Sequence, residues 1–171
     1  MDGFLNGLDR TLQEKNWYAA LVMSLTLPDL CVKASNPAER TTRAKYSAWF
    51  DEFVGPKYRR FIGANRQMHV FLSGNDCYAL RCAVLHEGSA DVSEQRARET
   101  LERFHFCTPG ARNNRWHLNQ RDGALLLMVD EFAIDVLEAA RAWWGALDEP
   151  DQEAARTTHL ELVDSDSLTS W

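Results

Sequence analysis

The stretch Ser73-Gly74-Asn75-Asp76-Cys77-Tyr78-Ala79-Leu80-Arg81-Cys82-Ala83-Val84-Leu85-His86-Glu87-Gly88 is the strongest constraint on how this chain folds. It opens on residues suited to capping a helix N-terminus (Ser73, Asn75, Asp76) and closes on a glycine, which predicts a helix of about three turns. From Cys77 to Leu85 the one charged residue is Arg81. At roughly 100° per residue, Cys77, Leu80, Ala83 and Val84 fall on one side and Tyr78, Cys82 and Leu85 on the other. A helix that is apolar all round is buried all round. One side fits the chain's own core, and the other needs a second cover, for which a partner chain is a candidate. Arg81 and His86 fall roughly 140° apart and bracket the Tyr78/Cys82/Leu85 side. From there a guanidinium and an imidazole can reach one phosphate.

The spacing Arg-x4-His at the end of a hydrophobic helix, here Arg81-Cys-Ala-Val-Leu-His86, resembles the motif of the HEPN family. Members are helical domains, many of them metal-independent ribonucleases of toxin and defence systems. Cys82 stands where the family usually carries a polar residue. The resemblance spans residues 4 to 147 in outline and implies a mainly α fold. That fold is a HEPN-like helical bundle over 1–147 with a small β-hairpin, about 103–120, inserted before the last long helix. An acidic, partly ordered C-terminal tail, 148–171, follows. For function it implies cleavage of single-stranded RNA with His86 as general acid or base and Arg81 stabilising the phosphate. No metal and no cofactor enter such a scheme. Sites of this kind form where two protomers meet, which implies a homodimer through the 73–88 helix, and a toxin implies a cognate antitoxin. The alternative within the family is a non-catalytic dimerisation or binding module.

Bulk composition bounds the rest. The chain has 171 residues, 45 % of them hydrophobic with six Trp and eight Phe, enough for one well-buried domain. No secretory h-region and no apolar run long enough for a bilayer is present, so the expectation is a cytoplasmic protein without membrane contact. Cys31, Cys77, Cys82 and Cys107 form no CxxC pair and read as reduced thiols. A net charge of −6 argues mildly against a general nucleic-acid binder. Of the 25 acids, seven lie from Asp148 onward against one base, Arg156, and the rest of the chain is neutral.

Residues 4 to 35 read as helical, interrupted near Glu14-Lys15-Asn16 and kinked or restarted at Pro28. Trp17 and Tyr18, beside Leu21, read as core rather than as a base-stacking platform. Asp29 reads as a solvated turn residue, the alternative being a carboxylate aimed at a buried arginine. Asn36 is expected to cap a helix with Pro37 in its first turn. That helix carries Tyr46, Trp49, Phe50 and Phe53 inward and stops at Gly55-Pro56. Between Glu52 and Asp76 there is no acid, and the island Lys57, Arg59, Arg60 and Arg66 reads either as an RNA-backbone contact or as a basic turn. Tyr78 reads as a phosphate or imidazole partner, or as an interface aromatic.

Further on, Ser93 to Glu102 has the composition of a solvent-facing helix anchored by Ala97 and Leu101. Phe104, Phe106, Trp116 and Leu118 alternate with His105, Cys107, His117 and Asn119, the period of a hairpin. This region is a second acid-free island, with Arg112 and Arg115 as further RNA-contact candidates. His105, Cys107 and His117 lack a recognised zinc spacing. Ala124 to Val129 reads as a third strand or as the first turn of the last long helix, about Asp130 to Leu147. Asp130 and Glu131 suit that helix's N-terminus and are also possible partners for Arg81. In the tail, Leu160, Leu162 and Val163 are candidates for a docked segment.

Overall fold

The computed structural model describes residues 1–93, 103–112, 114–122, 124–157, 160, 162–163 and 165. The expected helix over Ser93 to Glu102 lies almost wholly outside them. Helices α1 (Asp2–Gln13) and α2 (Trp17–Ser35) are separated at Lys15, which takes a positive φ of 56°. Asn16 caps α2 by accepting the Ala19 N–H. Pro28 sits inside α2 rather than ending it. That helix packs against α1, α3 (Arg43–Phe53), α4 (Gly74–Cys82), α5 (Val129–Ala146) and α6 (Glu149–Arg156). Neighbours on so many sides explain why its apolar residues form no single stripe.

Several local expectations are corrected. The cap of α3 is Thr42, whose hydroxyl accepts the Lys45 N–H, and not Asn36. Asn36 instead turns the chain, with its amide on the Glu39 carboxylate and its carbonyl accepting the Glu39 N–H. Tyr46, Trp49 and Phe50 are buried as expected. Tyr18 is not core, being 88 % exposed, because it lies on the side of α2 that no element covers.

The larger correction concerns the fold class. The chain is a mixed α/β structure and not a mainly helical bundle with one hairpin: among the described residues, two small sheets stand beside six α-helices. The first is an antiparallel ribbon of β1 (Arg59–Ile62) and β2 (Gln67–Val70), turned at Gly63 and Arg66, both at positive φ. A short 3-10 turn, Gly55–Tyr58, leads into it. The second sheet has the order β3-β5-β4, from β3 (Arg103–Cys107), β4 (Asn119–Arg121) and β5 (Ala124–Met128).

No hairpin joins 103–107 to 116–120, because β5 lies between β3 and β4, parallel to β3 and antiparallel to β4. The reason is in β5 itself: Ala124, Leu125, Leu127 and Met128 are buried and Leu126 nearly so, the profile of a central strand covered on both faces. Residues 124–128 are therefore strand, and α5 begins directly after them.

The C-terminal segment contributes α6, capped by Asp148 and Pro150. Its Ala155 is fully buried, and the Gln152 amide reaches the Trp144 and Leu147 carbonyls. Leu160 and Leu162, expected to dock, are each 91 % exposed. Among the described residues no helix is long and apolar enough to cross a membrane.

Candidate active site at the end of the fourth helix

Helix α4 is positioned from its first turn. Ser73 accepts the Asp76 N–H at 3.1 Å and donates its hydroxyl to the Asp76 carboxylate at 2.9 Å, a reciprocal cap. Asp51 of α3 accepts the Gly74 N–H at 2.9 Å, and Ser47 donates to the Asn75 side chain at 3.0 Å. A Cβ at Gly74 would lie 2.7 Å from the Ser47 Cα, so only glycine lets the two helices approach this closely. Cys77, Ala79, Leu80 and Ala83 are buried, while Tyr78, Cys82 and Leu85 remain half-buried on the opposite side. In one chain that side has only partial cover.

The helix then changes pitch. Ala83–Glu87 forms a π-turn, closed by the Gly88 N–H on the Ala83 carbonyl, with Gly88 left-handed at φ 63°. Regular α-geometry places Arg81 and His86 well apart, whereas i→i+5 bonding brings residues five apart toward the same side. The two side chains meet: Arg81 Nη1 lies 3.1 Å from His86 Nε2. Arginine has only donors to offer, so Nε2 is the acceptor and the imidazole carries its proton on Nδ1.

The third member of the cluster comes from α2. Arg81 Nε donates to Asp29 Oδ2 at 3.0 Å, with the two side chains only 23 % and 18 % exposed. Burial pushes the Asp29 carboxyl above its ordinary pKa, more than the Arg81 charge and hydrogen bond pull it down. For Arg81 burial acts to lower the pKa, but the Asp29 charge and hydrogen bond outweigh it and the pKa is raised. The bond has the geometry of a charge-assisted pair. Asp29 is thus an arginine partner within a helix and not a solvated turn residue.

Around this pair, Tyr78 packs its ring on Tyr46, with centroids 5.3 Å apart at 72°, and its hydroxyl lies beside the Cys82 thiol. Burial first, then Cys82, raises the Tyr78 pKa, and Arg81 opposes this. Tyr46 is fully buried and donates to the Leu25 carbonyl at 3.0 Å, fixing α3 against α2 beside Asp29. His86 itself is exposed.

The other candidate contacts divide sharply. Lys57 is held by Asp135 at 2.8 Å and Glu138 at 2.7 Å, and Arg59 by Asp51 at 3.0 Å. Arg115 pairs with Asp130 at 2.8 Å and Glu131 at 2.6 Å, so those two acids serve Arg115 and not Arg81. Arg60 and Arg112 are exposed, and among the described residues neither forms an ion pair. None of these five is in contact with the Arg81–His86 pair. His117 accepts the Met128 N–H at 3.2 Å, and no group of three His, Cys, Asp or Glu among the described residues is placed to hold a metal ion. A cavity of about 820 Å³ between α1, α2 and the tail has neither Arg81 nor His86 in its wall.

Asp29 had a legible signal. It is the one charged residue from Trp17 to Val32, as Arg81 is from Cys77 to Leu85. Two lone opposite charges on two apolar helices imply each other, since neither is tolerable alone in a core. The π-turn had no such signal, because its residues are ordinary helix formers.

Compared with known proteins, the chain matches no family model, no curated protein and no solved structure.

Proposed function

We propose that the chain is a metal-independent endoribonuclease of HEPN type, with His86 as the proton-transfer group and Arg81 as the phosphate stabiliser. One observation carries this reading: the guanidinium and the imidazole converge to 3.1 Å at the end of a helix whose pitch changes to allow it. Arg81 uses Nε on Asp29 and one Nη1 proton on His86. One proton on Nη1 and two on Nη2 are left for phosphoryl oxygens.

The reaction these groups suit is intramolecular. The ribose 2'-oxygen attacks the adjacent phosphorus as its proton passes to a general base, forming the P–O2' bond. The P–O5' bond breaks, and the 5'-oxygen takes up a proton. The products are a 2',3'-cyclic phosphate and a 5'-hydroxyl. His86 Nε2 has the lone pair for the first proton transfer once substrate draws Arg81 toward the phosphate. Arg81 meets the charge that builds on the nonbridging oxygens. A second copy laid over the half-buried Tyr78/Cys82/Leu85 side would complete the cover of α4, and the homodimer through 73–88 belongs to the same reading, as do a cytoplasmic setting and an antitoxin partner.

A second reading is favoured by one contact. Asp29 already neutralises Arg81, as it would for a purely structural strut, and Cys82 replaces the polar residue usual in the family. On that reading the domain is a non-catalytic dimerisation or binding module. RNA cleavage by the wild type in excess chelator, lost in both His86→Ala and Arg81→Ala with the fold intact by circular dichroism, supports the nuclease. Chelator-sensitive cleavage, or cleavage that survives both substitutions, rejects it.

A further inference from the structure

The β1–β2 ribbon presents an outward face that the chain's own core does not use. Register pairs Phe61 with Met68 and Arg59 with Val70, and cross-strand partners share a face. Phe61 is 58 % exposed, Met68 53 % and Val70 41 %. At the turn, the Arg66 guanidinium lies 5.6 Å from the Phe61 ring centroid, a cation–π stack on the surface. Two-stranded ribbons are marginal alone and leave both edges open, so a row of exposed apolar side chains there is costly unless something uses it.

The charge around the row identifies what that is. No acid occurs between Glu52 and Asp76. Of the cations in that segment, Lys57 and Arg59 are committed to Asp135, Glu138 and Asp51. Arg60, paired with His69, lies on the ribbon's other face, and Arg66 is exposed and, among the described residues, forms no ion pair. An aromatic ring extended by the Arg66 guanidinium, on a ribbon with no acid among residues 59–70, is a surface for flat bases carried on a phosphate backbone. The ribbon runs directly into α4 through the buried Leu72. From Gly74 to His86 the helical rise is about 18 Å, a span that a short oligonucleotide bridges.

We infer that the Phe61–Arg66 face of the β1–β2 ribbon is the docking surface for single-stranded RNA, holding a strand whose continuation reaches Arg81 and His86. That the strand is RNA rests on the nuclease reading of the Arg81–His86 site; the binding surface itself does not.

The test uses the full chain and a fluorescein-labelled 2'-O-methyl oligouridine, which binds but has no free 2'-hydroxyl to attack. Fluorescence anisotropy should show wild-type binding that weakens with salt. It should weaken about tenfold or more in Phe61→Ala/Arg66→Ala and stay unchanged in Tyr18→Ala, which removes an exposed aromatic of α2 instead. Both substituted side chains lie at the surface turn of the ribbon, and circular dichroism checks that the double variant is folded. Equal binding by the double variant overturns the inference. So does absence of binding by the wild type, or capture of an acidic peptide in place of the oligonucleotide. If the oligouridine binds through Phe61 and Arg66 but unmodified RNA is never cleaved, the surface stands and the nuclease reading fails.

Discussion

Asp29 Oδ2 accepts a hydrogen bond from Arg81 Nε at 3.0 Å across 52 positions of sequence, tying the middle of α2 to the last turn of α4. Held at Nε, the guanidinium is free to rotate little, and its Nη1 edge faces His86. Asp29→Asn keeps the shape and removes the charge. It should lower kcat for RNA cleavage by about tenfold to a hundredfold with KM little changed, and Asp29→Glu should recover part of the loss. Because burial raises the Asp29 pKa, mild acid should dismantle the pair before it would protonate a surface carboxylate. The acid limb of the kcat profile should therefore shift in Asp29→Asn. A purely structural Asp29 would change stability and leave the profile in place.

Arg81→Lys separates charge from geometry. Lysine retains the cation but cannot bond Asp29 and His86 at once in a planar fork. Its kcat should fall nearly as far as that of Arg81→Ala, each by at least about a hundredfold. Near-normal activity in Arg81→Lys would mean that a point charge suffices and that the convergence on His86 is incidental.

Gly74→Ala probes the contact between α3 and α4. The added methyl group meets Ser47 backbone at 2.7 and 2.8 Å, where no side-chain rotation relieves it. Urea unfolding should show a loss of about 1–3 kcal/mol. A neutral result would place the two helices further apart than described.

Acid stability should follow His117. Burial lowers its pKa from the ordinary 6.5, with Glu131 and Asp135 opposing and Arg60 and Arg115 adding to the shift. A depressed folded pKa means that the unfolded chain binds the proton first. The contribution to stability is then complete above about pH 6.5 and is lost as pH falls toward the folded value. Melting temperatures measured between pH 7.5 and 5 should drop more for the wild type than for His117→Gln, which keeps an acceptor for the Met128 N–H. Parallel curves would assign the acid sensitivity elsewhere.

The helices were legible wherever a cap or stripe marked them: Ser73 at α4, the Phe132/Val136/Ala140/Trp143 stripe of α5, and the interruption before Trp17. Strand pairing was not. Alternation around 104–107 and 116–119 indicates extended chain, but it says nothing about which strand is the neighbour. The choice of β5 as the centre follows from its burial on both faces, a tertiary fact. The Asn36-Pro37 signal misled because a good cap sequence serves equally well to turn a chain. Of the candidate site, Arg81 and His86 stood out as residue types at a spacing. Their contact did not, since it depends on a π-turn that replaces α-geometry over Ala83–Glu87. The basic islands were legible only in part for a related reason: sequence proximity shows cations without neighbouring acids, while the fold brings Asp135 and Glu138 to Lys57, and Asp130 and Glu131 to Arg115, from α5.

The most direct test of the Arg81–His86 site is the chemistry of the new RNA ends. Purified full-length protein is incubated in excess chelator with a short RNA, and with the same sequence carrying a single 2'-deoxyribose at the cleaved position. Mass spectrometry of the fragments should show a 2',3'-cyclic phosphate on one and a 5'-hydroxyl on the other, with no cut at the deoxy position and none by His86→Ala. Fragments ending in a 5'-phosphate, or cleavage at the deoxy position, would contradict the account.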